Sequence, residues 1–154
     1  MQIEYNNLYI HFVFTTFNRT KIILEKHRER IEKYITGIVN NKGCHLYRIY
    51  ANPEHIHFLV SLNPKIDTES LATIVADSSE RFINENKLCA GFFNWQQSCS
   101  AFSVSKGDVE KVCKYIMNQK EHHQSVGYEQ EYEHFLKFYQ QTIQIKKLGN
   151  QVSL

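Results

Sequence analysis

One run constrains the fold of this 154-residue chain more than any other: His55-Ile56-His57-Phe58-Leu59-Val60-Ser61-Leu62. It lies between Asn52-Pro53-Glu54 and Asn63-Pro64, whose residue types mark turns, so it reads as a buried strand. Strand side chains alternate between faces. His55 and His57 therefore project one way, and Ile56 and Phe58 the other. Two neutral imidazoles side by side on a rigid strand make half of a divalent-metal site.

The stretches around that strand define a sheet and its helices. Leu8 to Thr16, rich in β-branched and aromatic residues, reads as a first strand. Glu25 to Asn41 switches to helical spacing, with Ile31, Tyr34, Ile35, Ile38 and Val39 on one face, and Gly43 is a natural stop. Cys44 to Ala51 alternates as a strand and forms a hairpin with His55 to Leu62. Asp67 or Thr68 caps a second helix running to about Lys87, with Leu71, Ile74, Val75, Phe82 and Ile83 inward. Phe92 to Trp95 and Ala101 to Val104 read as short strands. Ser105 with Asp108 resembles a capping box opening a third helix, striped by Val109, Val112, Cys113 and Ile116. A last short helix is expected over Tyr132 to Tyr139. This order predicts an α+β chain: a ferredoxin-like (split βαβ) antiparallel sheet with helices packed on one face. A single domain over residues 1–142 is expected, followed by a polar, basic tail over 143–154.

Bulk properties narrow the function classes. A net charge of +2 is too small to announce a nucleic-acid binder, so any phosphate-binding face must be a local patch. The cysteines, Cys44, Cys89, Cys99 and Cys113, show no C-x-x-C spacing, which argues against a zinc knuckle or a disulfide framework and for free thiols. No run approaches the ~20 apolar residues of a membrane span, and no secretory signal is apparent. A cytoplasmic protein without membrane attachment or organic cofactor is the expectation.

What completes the histidine pair is found on the third helix. In Tyr115-Ile116-Met117-Asn118-Gln119-Lys120-Glu121-His122-His123, helical geometry brings Tyr115, Gln119 and His122 together at the edge of the apolar stripe, where the Tyr115 hydroxyl is expected to face outward. Gln119 offers an amide oxygen that a hard cation accepts. A phenol attacks poorly at neutral pH unless a cation or base assists, and a phosphodiester needs its oxygens neutralised, which Mg²⁺ or Mn²⁺ does as a Lewis acid. Two other classes that use strand histidines fail at one position each. A histidine-triad hydrolase would need histidine at Leu59, and a 2H phosphoesterase would need Ser or Thr at His57.

With these residues in place, the chain resembles the single-tyrosine HUH transposases, which include insertion-sequence and REP-associated tyrosine transposases. The resemblance runs from about His11 to Tyr139. It rests on His55-Ile56-His57 after Pro53-Glu54, on Ala101-Phe102-Ser103-Val104-Ser105, on Tyr115-Ile116-x-Asn118-Gln119 followed by His122-His123, and on Glu131-Tyr132 with Phe135-Leu136. It implies that Tyr115 attacks single-stranded DNA to form a 5′-phosphotyrosine and free a 3′-hydroxyl. It also implies that His55, His57 and Gln119 hold the Mg²⁺ or Mn²⁺, and that a homodimer recognises DNA hairpins. Arg19, Lys21, Lys114 and Lys120 are candidate DNA contacts. The chain departs from the family pattern at Phe17, Ala76-Asp77 and Ser98-Cys99. Those changes motivate an alternative, a domesticated binder of structured DNA or RNA that does not cut.

Overall fold

A computed structural model describes residues 1–125, 127, 129–131 and 133–134. Two compact units are distinguished, Met1–Gln119 and a second from Lys120 onward. Along the first unit run β1 (Tyr9–Thr15), α1 (Glu25–Asn41), β2 (His45–Ala51), β3 (His55–Ser61), α2 (Thr68–Glu85), β4 (Ser100–Val104) and α3 (Val109–Met117). The strands form one antiparallel sheet in the order β2-β3-β1-β4. β1 and β2 consequently run parallel with β3 between them, linked by α1, while α2 links β3 to β4 across β1. This is the split-βαβ topology expected from the sequence.

Local chemistry sets the element ends. The helix α1 stops at Gly43, which adopts φ +73°; a Cβ there would meet Asn63 Nδ2 at 2.7 Å. At the other loop, the Asp67 side chain accepts from the Ser70 N–H at 2.8 Å and caps α2. Phe12 and Phe14 of β1 and Ile56, Phe58 and Val60 of β3 pack against Ile31, Ile35 and Val39 of α1 and Leu71, Val75 and Ile83 of α2. Each such burial contributes roughly 1.5–3 kcal/mol, so the alternate residues of β1 and β3 are held on the opposite face.

That opposite face is also covered. Val13, Leu59, His11 and His57 are buried there, and α3 lies against β2 and β3 with Ile116 fully buried. The expectation of helices on one face describes α1 and α2, whereas α3 takes the other. Val13 and Leu59 make that face too apolar to leave to water.

Three local expectations change. Phe92 to Trp95 forms no strand beyond a single bridge between Thr16 and Trp95. Instead, the Asn84 side chain accepts from the Phe93 N–H at 2.7 Å and donates to its carbonyl at 2.9 Å, supplying the partners a strand would have provided. Ser105 does not cap a backbone N–H. Its hydroxyl donates to Asp108 Oδ2 at 3.0 Å, and a 3₁₀ turn over Lys106–Asp108 precedes α3. The third helix is interrupted at Asn118, after which α4 (Gln119–Ser125) begins. In the second unit, residues 129–131 and 133–134 are helical. The rest of the helix expected over Tyr132–Tyr139 and the 143–154 tail lie outside the described residues. All four cysteines are free, and no described helix is long and apolar enough to cross a membrane.

Candidate active site

The histidine pair occupies the middle of the sheet. In β3, His57 is opposite Val13 of β1 and Tyr50 of β2, and His55 is opposite Thr15. Strands on both sides leave β3 little freedom. His55 and His57 are 0% and 2% exposed, their ring centroids are 4.9 Å apart, and a ring nitrogen of one lies within 4.8 Å of a ring nitrogen of the other. The turn before them is pinned as firmly. Thr16 donates its N–H to the Glu54 carbonyl at 2.9 Å, and Ile22 and Ile23 donate theirs to the Pro53 carbonyl at 3.1 and 3.0 Å.

Hydrogen bonds orient each imidazole. His55 Nδ1 lies 2.8 Å from Glu54 Oε1, a carboxylate acceptor, so Nδ1 carries the proton and Nε2 holds the lone pair. Burial lowers the His55 pKa, and the Glu54 hydrogen bond and charge only partly oppose this. The ring is therefore neutral at physiological pH, as a metal ligand must be. His57 Nδ1 lies 2.9 Å from Nε2 of His11, the residue that neighbours Val13 on the same face of β1. Burial holds the His11 pKa down at about 4. When His57 donates through Nδ1 and His11 accepts, the His57 Nε2 lone pair is presented for coordination.

Gln119 and Tyr115 arrive from the α3 side. Gln119 is fully buried, and its Oε1 accepts from Asn52 Nδ2 at 3.2 Å. The same Asn52 nitrogen is 3.3 Å from His55 Nε2. An amide oxygen and an imidazole nitrogen thus converge on one point from different elements. The Tyr115 ring stands edge-on to His57 at 5.6 Å and to His11 at 6.3 Å. Its hydroxyl oxygen is buried rather than facing outward. Burial of the adjacent Ile116 draws this end of α3 onto the sheet and turns the phenol with it.

Four expected residues thus meet on one face: His55, His57, Tyr115 and Gln119. Their donor set, two imidazoles and an amide oxygen, suits a divalent cation. The basic candidates do not join it. Arg19 and Lys21 are exposed in the turn after β1, and Lys114 is exposed on α3 with Glu110 3.4 Å away. Lys120 and His122 belong to the second unit. Three participants were missed in the sequence reading as chemistry-bearing residues: His11, Asn52 and Glu54. Their signal was polarity out of place, since His11 interrupts an apolar strand and Asn52 and Glu54 are buried in a turn. The departures from the family pattern share a different location. Phe17, Ala76, Asp77, Ser98 and Cys99 all line one cleft with the acidic Glu69 and Glu80, and none of the histidine-site residues lines it.

Comparison with known proteins bears on the family and the fold. The family model described as "Transposase IS200 like" matches residues 4–119. Among solved structures, the chain is similar to a candidate transposase from Deinococcus radiodurans R1, with TM-score 0.59 and 17% identity over 77% of this chain and 96% of that one. It is also similar to a REP-associated tyrosine transposase bound to a REP hairpin, with TM-score 0.59 and 15% identity over 81% of this chain and 76% of that one. No curated protein matches.

Proposed function

Because the chain belongs to the IS200-like transposase family, we propose that it nicks and rejoins single-stranded DNA through Tyr115, as a homodimer that binds DNA hairpins. In this reading His55, His57 and Gln119 hold a Mg²⁺ or Mn²⁺ ion. When bound, that ion neutralises the non-bridging oxygens of the scissile phosphate. The remaining work falls to the chain itself. Glu54 and His11 keep His55 and His57 in the tautomers that point a lone pair inward. The Tyr115 oxygen attacks phosphorus, the bond to the 3′-oxygen breaks, and a 5′-phosphotyrosine and a 3′-hydroxyl result. The covalent link conserves the bond energy, so a second 3′-hydroxyl reverses the step and joins strands. Substrate entry requires the buried hydroxyl to be uncovered, and the helix interruption at Asn118 is a natural place for that movement. Arg19, Lys21, Lys114 and Lys120 are proposed phosphate contacts, the exposed ones on the first unit being available without rearrangement.

One observation carries this reading: the phenol of Tyr115 stands edge-on to His57 while His55 Nε2 and Gln119 Oε1 converge beside it. The alternative, a binder that does not cut, rests on Phe17, Ala76-Asp77 and Ser98-Cys99. Those residues line a cleft that shares nothing with the histidine site, so they bear on which nucleic acid is recognised rather than on cleavage. Replacing Tyr115 by Phe tests the proposal. Incubated with hairpin-bearing single strands and Mg²⁺, the wild-type chain should form a covalent adduct on a denaturing gel. The variant should form none, yet still shift the hairpin in a native gel. Undiminished adduct in the variant would remove Tyr115 from the reaction, and hairpin binding with no wild-type adduct would favour the non-cutting alternative.

A further inference from the structure

Asn52 occupies an unusual place in this site. It is 3% exposed and belongs to the turn between β2 and β3, where its backbone N–H donates to the His55 carbonyl at 2.8 Å. Its side-chain nitrogen meets two proposed ligand atoms at once, His55 Nε2 at 3.3 Å and Gln119 Oε1 at 3.2 Å. An amide nitrogen carries two hydrogens and no available lone pair, so Asn52 is the donor in both contacts. His55 can accept only through Nε2, because the Glu54 carboxylate takes its Nδ1 proton at 2.8 Å. Asn52 is therefore bonded to the one lone pair that His55 would offer a cation.

We propose that Asn52 is a positioning residue that caps the Nε2 lone pair of His55 in the metal-free protein, and that cation entry displaces it from His55 while it remains bonded to Gln119. The inference rests on the reading of His55 and Gln119 as ligands given above. A ring nitrogen has a single lone pair, so its hydrogen bond and a coordinate bond exclude one another. The Gln119 carbonyl has two and accommodates both. The two amide hydrogens of Asn52 mark in advance the directions from which His55 and Gln119 approach a cation. The cap keeps both side chains convergent and prevents the Nε2 position from taking up a proton. It also opposes binding by the worth of one buried hydrogen bond, which keeps the ion exchangeable.

The test is a calorimetric Mn²⁺ titration of the full chain as wild type, Asn52→Leu, Asn52→Ala and His55→Ala. Leucine retains the volume of the amide without its donors. Losing the cap should tighten Mn²⁺ binding about two- to tenfold, the net worth of one hydrogen bond. A residue that served only to support the fold would weaken binding or leave it unchanged when replaced, and either result overturns the cap. Should both Asn52 variants fail to fold, nitrogen-15 NMR of the wild type decides. Saturating Mg²⁺ should shift one of the two Asn52 side-chain amide protons strongly and the other little; two unmoved protons overturn the proposal. If His55→Ala binds Mn²⁺ as the wild type does, or the wild type binds none, the ligand assignment fails and the cap with it. If His55→Ala loses binding while Asn52→Leu leaves it unchanged, only the cap fails.

Discussion

Replacing Glu54 by Ala should weaken Mn²⁺ binding ten- to a hundredfold although its carboxylate bonds to Nδ1 of His55 rather than to the proposed ligand atom Nε2. The magnitude follows from the His55 tautomer. His55 is 0% exposed, and its Nδ1 proton has the Glu54 carboxylate as acceptor at 2.8 Å. Without that carboxylate a buried donor loses its partner, at a cost of about 1–3 kcal/mol. In the metal-free variant His55 can relieve the cost by moving its proton to Nε2, where a turned-over Asn52 amide accepts it through its oxygen, but a ring protonated there cannot coordinate a cation. The loss therefore falls on the metal-bound state, and at about 1.4 kcal/mol per factor of ten it amounts to one or two decades, the range seen for outer-shell partners of ligating histidines. Glu54→Gln separates geometry from charge. Glutamine still accepts the proton, so binding should fall only about threefold, since a neutral hydrogen bond has roughly half the strength of a charged one. The turn should survive both changes, because Thr16 bonds to the Glu54 backbone carbonyl rather than to the side chain. Isothermal calorimetry gives the affinities and thermal unfolding checks the fold. Alanine within twofold of wild type would refute the tautomer reasoning, and glutamine as weak as alanine would show that charge rather than acceptor geometry governs.

Two further outcomes are expected. Ile116→Ala removes the fully buried anchor of α3 and should cost about 2–5 kcal/mol in urea unfolding; a loss below about 1 kcal/mol would mean that α3 is not packed on the sheet as described. Metal-free stability should fall with acid in a window set by His11. Its folded pKa of about 4 lies below the unfolded value of 6.5, so the unfolded chain binds the proton first and stability declines from pH 6.5 toward 4, by about 2 kcal/mol at pH 5 and about 3 in all, and is flat above that window. His55 acts in the same direction. Denaturant unfolding from pH 7.5 to 5 should show this slope, reduced in His11→Gln; an equal slope in that variant would place the proton uptake elsewhere.

Much of the scaffold was legible because it obeys simple periods. The helix over Glu25–Asn41 matches its apolar spacing to the residue, and the alternation of β3 assigned His55 and His57 to one face and Ile56 and Phe58 to the other, as the core composition bears out. Gly43 was readable as a stop because helix ends favour the left-handed backbone that glycine adopts most easily. Phe92–Trp95 misled because its composition suits a strand. Whether such a run pairs depends on a donor and an acceptor from elsewhere, and here Asn84 supplies both. Side choice was similarly hidden for α3. Its stripe of apolar residues says that it packs, but the apolar residues of the sheet's second face that need covering, Val13 and Leu59, say where.

The site divides along the same line. Histidines two apart on a strand and Tyr and Gln four apart across a helical turn are local spacings, so the residues that would contact ion and substrate can be proposed from the chain alone. The residues that orient them are related by register and turn geometry instead. His11 reaches His57 from 46 positions away because β1 and β3 pair at Val13 and His57 rather than one residue along, where His11 would point into the core. Asn52 reaches Gln119 across 67 positions because α3 crosses to the histidine face. A one-residue slip in the β1–β3 pairing leaves every motif in the sequence intact and removes the hydrogen bond between His11 and His57 that orients the His57 ring. Competence for the proposed metal-assisted chemistry would for that reason be a property of the sheet register, and substitutions at His11, Asn52 or Glu54 are the ones expected to separate folding from cation binding.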